Sequence, residues 1–281
     1  MLPENVDFGA EVLSNYSRNT FRIEPNSSTS ATAGRVIQIT LPENSVLDMK
    51  SLRMFFNIKT KAGVGAATAI VYGLLPANIE SIIASIEVYV NGVQVTQGTN
   101  EYNTICKVLK LGAYNQDAQL TNGVLVNHAK QVETLDSVTP SDIFGTDQAA
   151  EGENGDVCID NWSNFLGTTA TRYLPTDILG SITIRMTLAS DAVLSGALAS
   201  GSTSASALTT ATVTPPSYTV SNPYFTIDSC VLPDAYNELL RRRLMQDEYL
   251  PINYKEYYTF INSGVTSSSY SNRFALSSGC I

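Results

Sequence analysis

The sequence predicts an all-β protein, an antiparallel sandwich closing into a barrel with short helices as caps, and three observations carry this. The first is the stretch Ser85-Ile86-Glu87-Val88-Tyr89-Val90-Asn91-Gly92-Val93-Gln94-Val95-Thr96-Gln97. Two alternating runs flank Asn-Gly, the dipeptide that best accepts the positive φ angles of a type I′ turn, so Val88, Val90, Val93 and Val95 are expected to pair across a hairpin. The second is the recurrence of such runs before and after it. Val36, Ile37, Ile39 and Leu41, then Leu52, Met54, Phe56 and Ile58, then Ile182, Ile184, Met186 and Leu188 alternate with polar neighbours at the period of a half-buried strand. The third is the scarcity of helix, because a parallel sheet needs a helix after nearly every strand.

Taken in order, residues 1–17 are polar with scattered apolar side chains (Val6, Phe8, Val12, Leu13) and read as a peripheral arm or short helix. Strands are expected at Phe21-Arg22-Ile23, at 35–41 and at 51–60, with 25–34 and 42–50 as spacers. Residues 63–69 read as a small flexible loop. Gly63-Val64-Gly65 lacks the third glycine, the following Lys-Ser/Thr and the βαβ setting of a phosphate loop. An apolar strand over 82–90 enters the hairpin. Residues 101–111 place Tyr102, Ile105, Cys106 and Leu109 on one helical face, ahead of Gly112 as a stop, giving a helix that caps the barrel.

Residues 123–160 are polar and irregular and read as a long solvated loop. Its acidic residues Asp147, Glu151, Glu153, Asp156 and Asp160 lack the alternate-position carboxylates, turn glycine and terminal bidentate Glu of a calcium loop. Trp162, beside Asn161 and Phe165, is read as a loop anchor against the core, although an indole can also stack on sugar. The strand over 181–189 follows. Residues 195–221 are dominated by Ser, Thr, Ala and Gly with Pro215-Pro216 and read as a second long surface loop. The strand pattern resumes over 224–232 through Phe225, Ile227 and Val231. Asp234 can N-cap a helix carrying Leu239, Leu240 and Leu244, with Arg241-Arg242-Arg243 near its carbonyl end, solvated or pairing between subunits. Two further strands are expected at 255–262 and 272–277.

The chain is long enough, at 281 residues, for a full core. Its net charge of −9, with only 15% charged residues and no basic arm, opposes direct contact with nucleic acid. Cys106, Cys158, Cys230 and Cys280 are widely spaced, signal neither zinc nor a disulfide framework, and read as buried thiols. No leader-like segment or long apolar run is present, so neither a signal peptide nor a membrane span is expected. His128, the sole histidine, sits in a polar segment away from any Gly-x-Ser-x-Gly elbow, and nothing singles out two carboxylates for glycoside chemistry. No catalytic, cofactor-binding or metal-binding residue is therefore assigned, and the chain is not expected to be an enzyme.

The order of the pieces resembles the major capsid proteins of the double jelly-roll lineage of tailless icosahedral DNA viruses, which includes tectiviruses, adenoviruses and large DNA viruses of eukaryotes. The resemblance runs from about residue 18 to the end. It is carried by Phe21-Arg22-Ile23, Leu47-Asp48-Met49-Lys50-Ser51-Leu52-Arg53-Met54, Ile86-Glu87-Val88-Tyr89-Val90-Asn91-Gly92, Glu101-Tyr102-Asn103, Leu174-Pro175-Thr176-Asp177-Ile178-Leu179-Gly180 and Phe225-Thr226-Ile227-Asp228. It implies an eight-stranded antiparallel jelly roll over 18–245 with long loops 123–160 and 195–221, preceded by the arm 1–17 and followed over 246–281 by the incomplete start of a second roll. It further implies a homotrimer with a pseudo-hexagonal footprint, tiling an icosahedral shell in the virion beside penton and minor capsid proteins. Assembly would occur in the host cytoplasm, the arm lying against an internal membrane or a neighbouring capsomer. The remainder after 245 is too short for a second roll, so the expectation is a fragment. A single-roll vertex protein is the alternative, and a carbohydrate-binding β-sandwich of a spike a further one.

Overall fold

A computed structural model of the chain describes residues 17–26, 29–61, 63–64, 70–76, 78–96, 101–113, 156–170, 173–198, 214–231, 238–239, 241–242, 245–246, 252–260, 271 and 273. Thirteen strands lie among them: β1 (Ser17–Ile23), β2 (Ser30–Thr32), β3 (Val36–Thr40), β4 (Val46–Lys61), β5 (Gly63–Val64), β6 (Ile70–Leu74), β7 (Ile83–Val90), β8 (Val93–Gln94), β9 (Asp156–Ile159), β10 (Tyr173–Pro175), β11 (Ile182–Leu188), β12 (Ser195–Leu198) and β13 (Ser217–Val231). The helices include α1 (Tyr102–Ala113), α2 (Asn164–Thr168) and α3 (Thr176–Leu179).

Eight of the strands build two sheets in the orders β1-β13-β4-β10 and β3-β11-β7-β8. Numbering those eight in chain order, first pairs with last (β1·β13), second with seventh (β3·β11), third with sixth (β4·β10) and fourth with fifth (β7·β8), every pair antiparallel. A long antiparallel ribbon folded in half and wrapped on itself makes these pairs. The wrap then brings β13 against β4 and β11 against β7. That is the jelly-roll order, in which two Greek keys close into a sandwich. The expected fold class is the one observed.

The alternation read from sequence sets the core. Ile37 and Ile39 of β3, Leu52, Met54, Phe56 and Ile58 of β4, Ile86 and Val88 of β7, and Ile182, Ile184, Met186 and Leu188 of β11 are all buried between the sheets. Phe225 and Ile227 of β13, in the same sheet as β4, join this core and face the layer of β3, β7 and β11. Tyr218 also points inward and donates its hydroxyl to the Ala189 carbonyl at 2.5 Å. Burial raises the phenol of Tyr218 above its ordinary value, the nearby Asp191 adding to the effect, and burial raises that of Tyr102 well above it too. Because the folded state holds these protons and the unfolded chain releases them near pH 10, stability is expected to fall as pH rises above about 10, at up to roughly 1.4 kcal/mol per pH unit for a fully buried phenol. Denaturant titrations between pH 8 and 11.5 measure this slope, and Tyr218→Phe should make it shallower.

The hairpin forms as expected, with Asn91 at φ 48 and Gly92 at φ 79. Val90 faces Val93, and the Val95 N–H continues the ladder to the Val88 carbonyl at 2.8 Å. Its second arm is shorter than predicted, only Val93–Gln94 counting as strand.

Other expectations are corrected. The spacer 42–50 ends early, because Val46, Leu47 and Asp48 pair with β13 and with β10 and so extend β4 to 16 residues. Gly63-Val64 is not a loop but β5, which pairs with the unforeseen strand β6. Ile82 closes a 3-10 turn rather than opening a strand. Helix α1 runs through Gly112, and Leu109 is 36% exposed, so its buried face is Tyr102, Ile105 and Cys106. Of the loop 123–160, residues 156–159 form β9, whose Val157 and Ile159 are buried against β4. Of the loop 195–221, Ser195–Leu198 is β12, and β13 begins at Ser217 with Tyr218 and Val220 inward.

β13 tolerates Pro223 because its register with β4 shifts between Ser221 and Tyr224, where Asn222 takes φ 50, and a bulge needs no ladder donor. Val231, expected inward, is 55% exposed at the strand's end. Residues 255–260 adopt no strand; they lie against the roll instead. Cys158 is half-buried rather than buried, whereas Cys106 and Cys230 are buried as expected. His128, Asp147, Glu151, Glu153, Asp234, Cys280, the arm 1–16 and the strand expected over 272–277, save Arg273, lie outside the described residues.

Candidate assembly surface

The roll has two unlike ends. In an antiparallel ribbon, alternate connections fall at the same end, and here all the short ones do. Residues 41–45 join β3 to β4, Asn91-Gly92 joins β7 to β8, and α3 with Gly180 and Ser181 joins β10 to β11. These turns are knitted together. The Asn91 N–H donates to the Ser181 carbonyl at 2.8 Å, and the Thr176 N–H to the Ser45 carbonyl at 2.8 Å. Thr176, itself buried, accepts from the Ser45 N–H at 3.0 Å, and its single hydroxyl proton is within reach of the Ser45 carbonyl at 2.8 Å and the Pro42 carbonyl at 3.0 Å. Gly180 takes φ 81 against the Asn91 side chain, a backbone state that favours glycine. The result is a compact floor with every turn braced by another.

The opposite end carries the long connections, and these fold into added structure. Residues of the β4–β7 connection and the β11–β13 connection together make a three-stranded sheet in the order β12-β6-β5. Between β8 and β10 lie α1, β9 and α2. Helix α1 seats Tyr102 and Cys106 in the core, where the Tyr102 hydroxyl accepts the Ser163 N–H at 3.1 Å. Trp162 is buried, and its indole N–H donates to the Leu52 carbonyl at 2.8 Å, so its place is that of the expected anchor. With its polar atom used inside and its ring covered, it offers no platform to a sugar.

The central ribbon of β4 and β13 is flanked over one half by β1 and β10 and over the other by β2 and β9. On its outer face Phe55 stacks on Tyr224, with centroids 5.1 Å apart and planes at 11°, and the Arg22 guanidinium lies 4.0 Å over the same Tyr224 ring. Cys158 stands opposite Phe55 in the β9 register, its thiol pushed up by burial and by Asp160. Near the floor, Arg18 binds Asp228 through Nε and Nη2 and lies 3.5 Å from the carboxylate of the wholly buried Asp48. Thr20 adds a hydroxyl to Asp228 at 2.6 Å, and the Asp48 carboxylate accepts the Lys50 N–H at 3.2 Å. This node ties β1, β4 and β13 together where β4 bulges over residues 49–52. Asp48 and Asp228 each lie within a patterned segment of the sequence, but no local pattern joins residues so far apart in the chain.

Arg241 pairs with Asp177 of α3 at 3.5 Å, and Arg242 with Glu238 one helical turn away. Among the described residues no three His, Cys, Asp or Glu side chains gather as a metal site. Of the predicted acidic cluster, Asp156 and Asp160 are described, and Asp156 accepts from the Asn57 amide at 3.3 Å. What these surfaces offer is shape and stiffness: a braced floor, an elaborated opposite end, and outer sheet faces carrying half-buried aromatics.

No family model matches the sequence, and no curated protein matches it. Among solved structures the chain is similar to one described as the PBCV-1 virus capsid, quasi-atomic model, at 15% identity and a TM-score of 0.40, covering 80% of this chain and 44% of that one. It is similar also to PBCV-1 VP54, in a crystal structure fitted into a cryo-EM reconstruction of the virophage Sputnik, at 16% identity and a TM-score of 0.38, covering 83% of this chain and 45% of that one. The chain thus spans less than half the length of either. The fold itself rests on the strand order, which makes the chain a jelly-roll sandwich with one braced and one elaborated end.

Proposed function

We propose that the chain is a structural capsid protein whose jelly roll builds a virion shell. The observation that carries this is the pairing of the jelly-roll order with unlike ends: a stiff sandwich with a tight floor and a loop-rich opposite end gives a shell its inner and outer sides. Fold alone does not give function, so the reading also leans on the ordered segment resemblance and on a surface of low charge that packs laterally without strong repulsion. In the finer form of the proposal, 18–245 is a first roll, 246–281 begins a second, and three copies make a pseudo-hexagonal capsomer. The connections within 123–160 and 195–221 supply outward projections and contacts between subunits. The arm 1–17 lies on the inner side, against a neighbouring capsomer or a membrane, and penton and minor capsid proteins fill the remaining positions. Many weak repeated contacts then add through avidity. Assembly takes place in the host cytoplasm, and the role is geometric, with no bond made or broken.

Intact mass spectrometry of the native chain, with particle imaging of its oligomer, tests this. Three-fold capsomers of hexagonal outline, built from a chain longer than 281 residues, are the expected result. Five-fold rings of a chain of about 30.3 kDa would move the assignment to a single-roll vertex protein. A monomer that binds glycans saturably and never assembles would overturn both.

A further inference from the structure

Residues 252–260 follow the closure of the roll and form no strand, yet they are held by one corner of it. That corner consists of α2, Ala170 and the far end of the hairpin. The Ala170 N–H donates to the Asn253 carbonyl at 2.8 Å. One side chain meets both backbone groups of Lys255: its N–H donates to the Thr168 hydroxyl at 2.8 Å, and its carbonyl lies 3.0 Å from that hydroxyl, sharing the single proton with the Asn164 carbonyl at 2.8 Å. The Tyr257 N–H donates to Oδ1 of Asn164 at 3.2 Å, and the Tyr254 hydroxyl donates to the Val95 carbonyl at 3.0 Å. The Tyr254 ring meets Phe165 edge-on at 5.2 Å, and Ile252 packs with it against the core.

The receiving side is shaped for this. Asn164 is buried and sits at φ 57, a state that an L residue enters at a cost and Asn enters more readily than most. Its amide oxygen is thereby presented to the Tyr257 N–H. Alternate residues serve the contact, with N–H groups of 255 and 257 facing the roll as they would face a neighbouring strand. This is the way an extended segment is read by a sheet edge or groove, through its backbone, except that side-chain oxygens of Asn164 and Thr168 stand in for carbonyls.

We infer that 252–260 is a docked strap, and that α2 with its flanks is a built-in receptor for it. The chain is therefore fixed to the roll over 253–257 by backbone and ring contacts rather than passing it on a free tether. The inference stands on these contacts alone and holds whether or not the shell reading does.

Trypsin cleavage after Lys255 in the native full-length chain reads the strap directly, because an exposed lysine is cut only when its backbone is released. The wild type is expected to resist cleavage there. Thr168→Val, which keeps the side-chain shape and removes the oxygen, should speed it by at least about tenfold, and Thr168→Ser should restore resistance. Asn164→Gly, comfortable at positive φ but lacking the acceptor, should speed it as well. Amide exchange in β11 must stay unchanged in each variant, which separates release of the strap from general unfolding. Fast cleavage of the wild type, or equal rates in wild type, Thr168→Val and Asn164→Gly, would overturn the inference, whatever the oligomer proves to be.

Discussion

Arg18→Ala is expected to lower the free energy of unfolding by about 2–3 kcal/mol. Arg18 spans two carboxylates, that of Asp48, fully buried, and that of Asp228, 14% exposed at the side chain. Without the guanidinium, two carboxylates on neighbouring strands face each other in a site from which water is largely excluded, and like charges so placed repel strongly. The loss falls short of the roughly 3–5 kcal/mol of a wholly buried pair because the Arg18 side chain is itself 41% exposed. Arg18→Lys keeps the charge but not the fork that reaches Asp228 through Nε and Nη2, and should lose about half as much. Urea unfolding of Arg18→Ala, Asp228→Asn and the double variant measures the coupling. A loss under about 0.5 kcal/mol for Arg18→Ala would mean that the node does not hold β1 to the ribbon.

Gly167→Ala should be at least as damaging, costing on the order of 3 kcal/mol or more. A Cβ at 167 would stand 1.6 Å from the Trp162 carbonyl oxygen and 2.4 Å from its carbon, both backbone atoms. No side-chain rotation relieves such an overlap, so α2 or the Trp162 backbone must move. Movement of Trp162 withdraws the indole N–H from the Leu52 carbonyl, and movement of α2 shifts Asn164 and Thr168, which hold the strap. The variant is therefore expected to unfold at lower denaturant and to be cut faster after Lys255. Gly180→Ala is the comparison. Its Cβ would lie 3.3 Å from the Asn91 side chain, which can yield, leaving mainly the strain of φ 81, worth about 1 kcal/mol. Equal losses at 167 and 180 would show that backbone overlap is not what makes Gly167 necessary.

Most of the sandwich was legible because a strand with one dry face writes that face into every second residue. Ile182, Ile184, Met186 and Leu188 announced β11, and Asn91-Gly92 its partner's turn, from local chemistry alone. The misreadings share a cause. Val46 to Lys50 and Ser217 to Ser221 looked like spacers because their composition is mixed, yet each lies beside strands distant in sequence that complete its hydrogen bonds. Asp156-Val157-Cys158-Ile159 was hidden at the end of a polar stretch in the same way. Leu109 and Val231 erred in the opposite sense: both are apolar at an inward phase, yet both are exposed, Val231 as the last residue of its strand.

From its sequence alone this protein was determined to be an antiparallel β-sandwich sparse in charge, with its hairpin register, its Trp162 anchor and the inward faces of its main strands, since each depends on periodicity, turn chemistry or composition within a few residues. Tertiary structure decided the pairing order that makes it a jelly roll, the gathering of short turns at one end, the Arg18–Asp48–Asp228 node and the docking of 252–260 on α2. Each of those joins residues tens to hundreds of positions apart, and such contacts form only after the chain has closed on itself, where no local pattern records them.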